Sequence, residues 1–207
     1  GLYDSYSGCL MDDTDGDTSG PSHCDPAEPE ERGVFRAIQR VYASYYNDNA
    51  FLERLRHGVV EPECGMAVLV HHSYPDAQEL ANGVASLSYR YSFGSSIEGK
   101  LVTQAGAESV TNPDGTAAPE VVDVYRIGSF TGLDLSQTSS RVPLGAHVMQ
   151  WQSDYTQFMD LFASVGNAWR QLTPQRTGFL LDFKYKKDAT LGLIVKQVRE
   201  IPAPAAA

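Results

Sequence analysis

The 207-residue chain carries 26 acidic residues against 16 Lys and Arg, a net charge of −10 at pH 7. That balance argues against nucleic acid or an anionic membrane surface as partner, because phosphate backbones are met by clustered Lys and Arg. No apolar run of about 18 residues occurs, so no membrane span is expected, and the length suits one large domain or two small ones with ample core.

No signal peptide is visible, and the chain begins at Gly1 without a Met, as a processed, trimmed or partial chain would. Residues 1–29 show almost no hydrophobic periodicity and read as an acidic loop segment that a disulfide would staple. Cys9 and Cys24 bracket its Gly-, Ser- and Asp-rich stretch. Pairing them would hold a loop with little apolar content and would place the protein in an oxidising, extracytoplasmic compartment, secreted or periplasmic. The alternative is three reduced thiols in a cytoplasmic protein. Within this loop Asp12, Asp13, Asp15 and Asp17 surround Gly16. Asp13, Asp15 and Asp17 are candidate ligands for Ca²⁺, which takes several hard oxygens from a tightly turned segment. The EF-hand pattern is not met, since the closing Glu and the preceding helix are missing, so a solvated acidic loop is the competing reading.

A helix is expected over 33–46, where Val34, Ile38, Val41, Tyr42 and Tyr45 recur at three- and four-residue steps. A shorter one is expected over 49–56, ended by His57 and Gly58. Cys64 has no His at a recognisable spacing and reads as a buried structural thiol. Residues 65–72, GMAVLVHH, read as a buried strand, on which the adjacent His71 and His72 would face opposite ways. A turn follows at 73–76, then strands over 82–91 and 100–105, a strong turn signal at 111–115, and a strand over 120–127. Residues 129–143 read as a polar loop. The longest helical pattern covers 147–172, with Trp151, Tyr155, Phe158, Met159, Phe162, Val165 and Trp169 as a core-facing stripe ended by Pro174. Residues 202–207 form a Pro- and Ala-rich tail expected to be disordered. The element order indicates an α+β fold with a mostly antiparallel sheet and packed helices.

The last structured stretch, residues 178–199, reads as a hairpin turning near Ala189. Leu193, Val195, Gln197 and Arg199 would share one face of its second strand. Asp182 would lie opposite or nearly opposite Gln197, gathering Asp182, Lys184, Gln197 and Arg199 on one face. A carboxylate, an amide and two cations on a rigid platform suit a phosphate and its metal; a solvated sheet face is the plainer alternative.

Several stretches together resemble one family, the divergent ATP-grasp domain shared by phosphoenolpyruvate synthase, pyruvate phosphate dikinase and the glucan, water dikinases. They are Gly1-Leu2-Tyr3-Asp4-Ser5, the helix over 41–54, the pair MAVLVHHSYPD and ANGVA over 66–85, and the closing LDFKYKK and LIVKQVR. Family members close with Asp-Ile-Glu-aromatic, a turn, and a strand ending Gln-x-Arg-Pro. Asp182, Phe183, Lys184 and Tyr185 align with the first part, and Gln197, Val198 and Arg199 with the second.

The resemblance implies an ATP-grasp-like C-terminal lobe over 30–201. It implies that Asp182 and Gln197 lie beside Mg²⁺ and the phosphates of ATP, and that Arg199 contacts the phosphates and is the catalytic candidate. Lys184 would contact a phosphate directly or pair with Asp182, and Val70 and His71 would line the adenine. The implied activity is ATP-dependent phosphoryl transfer, dikinase type, to a histidine on another domain, with an N-terminal ATP-grasp lobe supplying a further Lys and Arg. One position departs: Lys184 stands where the family has a metal-binding Glu, and an ammonium does not ligate Mg²⁺. The second expectation is therefore a catalytically inactive secreted or periplasmic binding or structural module that keeps the fold.

Overall fold

The computed structural model describes residues 3–25, 28–72, 74, 76–91, 94–108, 110 and 117–201. Leu2, the turn expected at 111–115, part of that expected at 73–76 and the 202–207 tail lie outside the described residues. The chain divides into two compact units, Gly1–Ser73 and Tyr74–Ala207. No helix among the described residues is long and apolar enough to cross a membrane.

In Gly1–Ser73 the expected helices form as α1 (Val34–Ala43) and α2 (Asp48–Arg56), joined by a 3-10 turn at Ser44–Tyr46. Gly58 follows α2 at φ 65°, the left-handed conformation that closes helices at least cost to glycine. The acidic loop is fastened to the start of α1: Cys9 N–H donates to Arg32 O at 2.8 Å, and Cys9 is bonded to Cys24. Two expectations fail here. Residues 65–72 form no strand, and Leu69 and Val70 are 85% and 62% exposed. A strand exists only through a ladder partner, and among the described residues none runs beside this stretch. Cys64, just before it, is exposed rather than buried.

Tyr74–Ala207 is an α+β unit. Its six strands, β1 (Glu79–Arg90), β2 (Ser96–Ala105), β3 (Glu120–Ile127), β4 (Phe130–Gln137), β5 (Gly178–Asp188) and β6 (Gly192–Ile201), form one sheet in the order β4-β3-β2-β1-β5-β6. Every pairing is antiparallel. A third helix, α3 (Ser153–Leu172), carries the chain from the β4 edge back to pair β5 with β1. Its Phe158, Met159 and Phe162 are fully buried against Leu87, Tyr89, Leu101, Val122, Leu181, Phe183 and Tyr185 of one sheet face. The helix lies close on the sheet. A Cβ at Gly166 would stand 2.1 Å from the Tyr89 ring, whose hydroxyl donates to Phe162 O at 2.8 Å.

Two boundaries differ from expectation. α3 starts at Ser153 and not near His147, because Gln152 holds φ 67° and breaks the helical path. The segment before it is pinned instead to Glu120, a fully buried carboxylate that takes hydrogen bonds from Tyr155 Oη, His147 Nδ1 at 3.1 Å and Val148 N at 3.3 Å. The expected loop over 129–143 contains β4. Its Leu133 and Leu135 pack on the core, and the link from Ile127 to Phe130 is the two-residue Gly128-Ser129, with Gly128 at φ 59°. A glycine at the first central position is the type II′ hairpin signature.

Candidate functional site

The face of the sheet opposite α3 is built by alternation. Leu181, Phe183 and Tyr185 point into the core, so Leu180, Asp182, Lys184 and Lys186 point away from it. On β6 the alternation is interrupted. Lys184 pairs with Gln197 but Tyr185 pairs with Val195, leaving Lys196 as a bulge. The extra residue lets Leu193, Val195 and Val198 all pack on the core. Without it, Val198 would fall on the opposite face from the other two. The bulge therefore separates Gln197 and Arg199 from Leu193 and Val195, with which they were expected to share a face. The gathering of Asp182, Lys184, Gln197 and Arg199 on one face survives.

Asp182 opposes Arg199, two residues along the strand from Gln197, and Lys184 opposes Gln197. The Arg199 guanidinium grips one Asp182 oxygen, Nε at 2.9 Å and a terminal nitrogen at 2.8 Å. Ser86 Oγ donates to the other oxygen at 2.9 Å. The pairing continues across the whole sheet, so that Asp134, Asp123, Lys100, Ser86, Asp182 and Arg199 form a single row with one residue from each strand. Lys100 and the Ser136 hydroxyl both bond Asp123, holding its carboxyl below the usual range. Ser86, Lys100 and Asp123 carried no sequence motif; their place in the row depends on register between strands far apart in the chain.

A phosphate group fits this surface better than a metal does. The Arg199 side chain is 66% exposed while Asp182 is 15% exposed. An exposed ion pair of this kind is worth about 0–1 kcal/mol, so Arg199 can turn to an incoming anion at little cost. Lys184 and Gln197, both exposed, stand in the neighbouring row. Mg²⁺ asks for an octahedral set of hard oxygens. Asp182, the carboxylate among the four expected residues, has both oxygens engaged and stands beside two cations, and Gln197 lies diagonal to it. These four residues do not fit a metal by themselves. An open groove of about 450 Å³ lined by Gln157, Asp160, Leu161, Ser164 and residues 191–193 lies on the α3 side, away from this row.

Val70 and His71, expected beside the adenine, belong to Gly1–Ser73 and lie on exposed chain without strand pairing, where His71 Nδ1 meets His72 O at 2.8 Å.

The acidic loop is arranged more specifically than its composition suggests. Asp13, an expected ligand, instead caps α1, accepting Val34 N–H at 2.7 Å and Phe35 N–H at 3.4 Å. That satisfies orphan donors at the positive helix end. Asp12 is buried; burial pushes its carboxyl up, but the backbone N–H groups of Arg32 and His23 outweigh this and hold it low. The carboxylates that do meet are Asp15, Asp17 and Glu31, with ligand atoms all within 4.8 Å of one another, next to a second group of Asp12, Asp15 and His23. Glu31 is 7% exposed, and its carboxyl is pushed up to about 7 by Asp17 first, then by burial and the charges of Asp15 and Asp12. Sequence reading passed over Glu31 because it lies 14 residues past Asp17, outside any loop-sized motif. No protein-family model, no curated protein and no solved structure matches this chain.

Proposed function

We propose that Tyr74–Ala207 is a nucleotide-binding lobe, resembling the C-terminal ATP-grasp lobe of the phosphoenolpyruvate synthase and pyruvate phosphate dikinase family. In this reading it contacts the phosphates of ATP through Arg199, Lys184 and Gln197. The observation that carries it is the pair of cross-strand neighbours, Asp182 with Arg199 and Lys184 with Gln197, exposed on one face of the β5–β6 hairpin. Forked donors from Arg and a point charge from Lys are the groups that hold phosphate oxygens. A partner lobe completes the site. In the family's chemistry, alignment and charge neutralisation drive phosphoryl transfer to a histidine on another domain. This lobe offers the charge but not the metal-binding carboxylate pair. The reading is therefore of binding, with catalysis dependent on groups outside it.

The second reading, an inactive extracytoplasmic binding module, is favoured by Lys184 and by the Cys9–Cys24 disulfide. Calorimetric titration of the chain with ATP, with and without Mg²⁺, tests the first. Nucleotide binding that grows from adenosine to ATP and is lost in Arg199→Ala supports it. No ATP heat with either Lys or Glu at position 184 sinks it.

A further inference from the structure

Buried carboxylates persist when a donor or a cation compensates them. Asp12 has two backbone N–H donors and the His23 ring, whose Nδ1 lies 3.4 Å from Asp12 and 3.2 Å from Asp15. Glu31 has neither; the partner of its carboxyl is Asp17, with which it can share only a proton. Glu31 is buried, its carboxylate meets those of Asp17 and Asp15, and among the described residues no N–H group or cation is bonded to it. Arg32, next to it in the chain, is paired with Glu28 at 3.1 Å. A buried carboxylate gathered with two others, in a chain of net charge −10, must either hold a proton or meet a cation from outside the polypeptide.

We propose that Asp15, Asp17 and Glu31 form a calcium site that ties the disulfide loop to the approach to α1. The 4.8 Å span of the three ligand atoms is about twice a Ca²⁺–oxygen bond, so one ion reaches all three. The ligands are hard oxygens only, which suits Ca²⁺ over metals that select His or Cys. The neighbouring group, already bridged by His23, does not need an ion. Asp15 and Asp17 come from the loop turned at Gly16, φ 90°, whereas Glu31 lies two residues before the Gly33 N-cap of α1. The ion would therefore cross-link the loop to the helix beside the Cys9–Cys24 staple. The site lies within Gly1–Ser73 and is independent of the nucleotide reading.

The test uses the full chain with its disulfide intact, stripped with EDTA and titrated with CaCl₂ by calorimetry, with thermal melts in parallel. One saturable site is expected, with Kd on the order of 10⁻⁴ M, as in extracellular calcium modules. Calcium should raise the wild-type Tm, and Mg²⁺ at the same concentration should not. Asp17→Asn should weaken binding at least tenfold and Glu31→Gln should abolish it. Glu31→Gln should also reverse order with condition: more stable than wild type in EDTA, less stable in calcium. A wild-type chain that shows neither heat nor Tm shift in millimolar CaCl₂ overturns the proposal. So does a calcium response that both variants retain. If Glu31→Gln does not fold, Asp17→Asn decides, since Asp17 is exposed.

Discussion

Tyr185 of β5 reaches across Gly83 of β1 to share a 2.6 Å hydrogen bond with Thr103 of β2. Gly83 pairs with both residues, so the ring lies over the one position in that row that has no side chain. A Cβ there would stand 2.4 Å from Tyr185 Cζ and 2.6 Å from Val102 O. Alanine usually strengthens a strand relative to glycine, but here the clash outweighs the propensity. Gly83→Ala should cost about 1–3 kcal/mol, as overpacking of a core does. Tyr185→Phe should cost about 1 kcal/mol or more, because it strands the buried Thr103 hydroxyl. Urea unfolding measures both, and a Gly83→Ala chain as stable as wild type would mean that the Tyr185 ring does not occupy this path.

The same ring sets a response to alkali. Burial pushes the Tyr185 and Tyr89 hydroxyls well above the usual tyrosine range. The unfolded chain releases these protons at about pH 10 while the folded chain holds them. Above about pH 10 the unfolded state therefore binds fewer protons, and stability falls as pH rises; below it these two groups contribute no slope. Absorbance at 295 nm should show both tyrosines ionising together with the loss of near-UV circular dichroism. Tyr185→Phe should decline less steeply with pH. Titration of all tyrosines at pH 10 in a chain that keeps its folded spectrum would contradict this burial.

The elements legible in the sequence were those whose apolar residues repeat on one face over a full element. The α3 stripe from Tyr155 to Phe162 is of this kind, as is the 120–127 alternation that forms β3. β4 was not legible because only Leu133 and Leu135 mark its inner face, although Gly128-Ser129 was a usable hairpin signal. Residues 65–72 erred the other way: an apolar run gives β propensity, but a strand also needs a neighbour, and a neighbour is not a local property. The candidate site divides in the same manner. Asp182, Lys184, Gln197 and Arg199 could be placed on one face from period-two alternation near a turn. The Lys196 bulge could not, because it arises from packing Val198 together with Val195. Ser86 and Lys100 join the row only through register with β5 and β3.

The Cys9–Cys24 bond spans 15 residues in a unit with little core. Among the described residues its buried apolar side chains are Cys9, Ala37 and Ala50. Closing a loop of this length removes unfolded-chain entropy worth about 3 kcal/mol, a large share of what so small a unit holds. Cys9→Ser with Cys24→Ser should therefore open the loop to protease and lower the melting of Gly1–Ser73, while the sheet signals of Tyr74–Ala207 persist. Thiol titration should find one reactive cysteine, the exposed Cys64, in the native chain and three after reduction. Three reactive thiols without reductant would remove both the staple and the argument for an oxidising compartment.

Asp182 separates the two roles its hairpin could have. As the Arg199 partner it restrains the cation proposed to bind phosphate and adds a charge that repels phosphate. As a metal ligand it would be indispensable to Mg-ATP. Asp182→Asn keeps an oxygen for the Ser86 hydroxyl and removes the charge and the acceptor that hold Arg199. If the face binds phosphate directly, Asp182→Asn should tighten ATP binding several-fold, most clearly without Mg²⁺ and at low salt where such charges are least screened. Arg199→Ala should weaken it at least tenfold, since hydrogen bonds to a charged group carry about 1.5–3 kcal/mol. Lys184→Glu should weaken metal-free ATP binding and make the remainder depend on Mg²⁺. Calorimetry at two salt concentrations reads all three. Loss of Mg-ATP binding in Asp182→Asn, with metal-free ATP binding unchanged, would instead assign Asp182 to the metal and reject the direct phosphate platform.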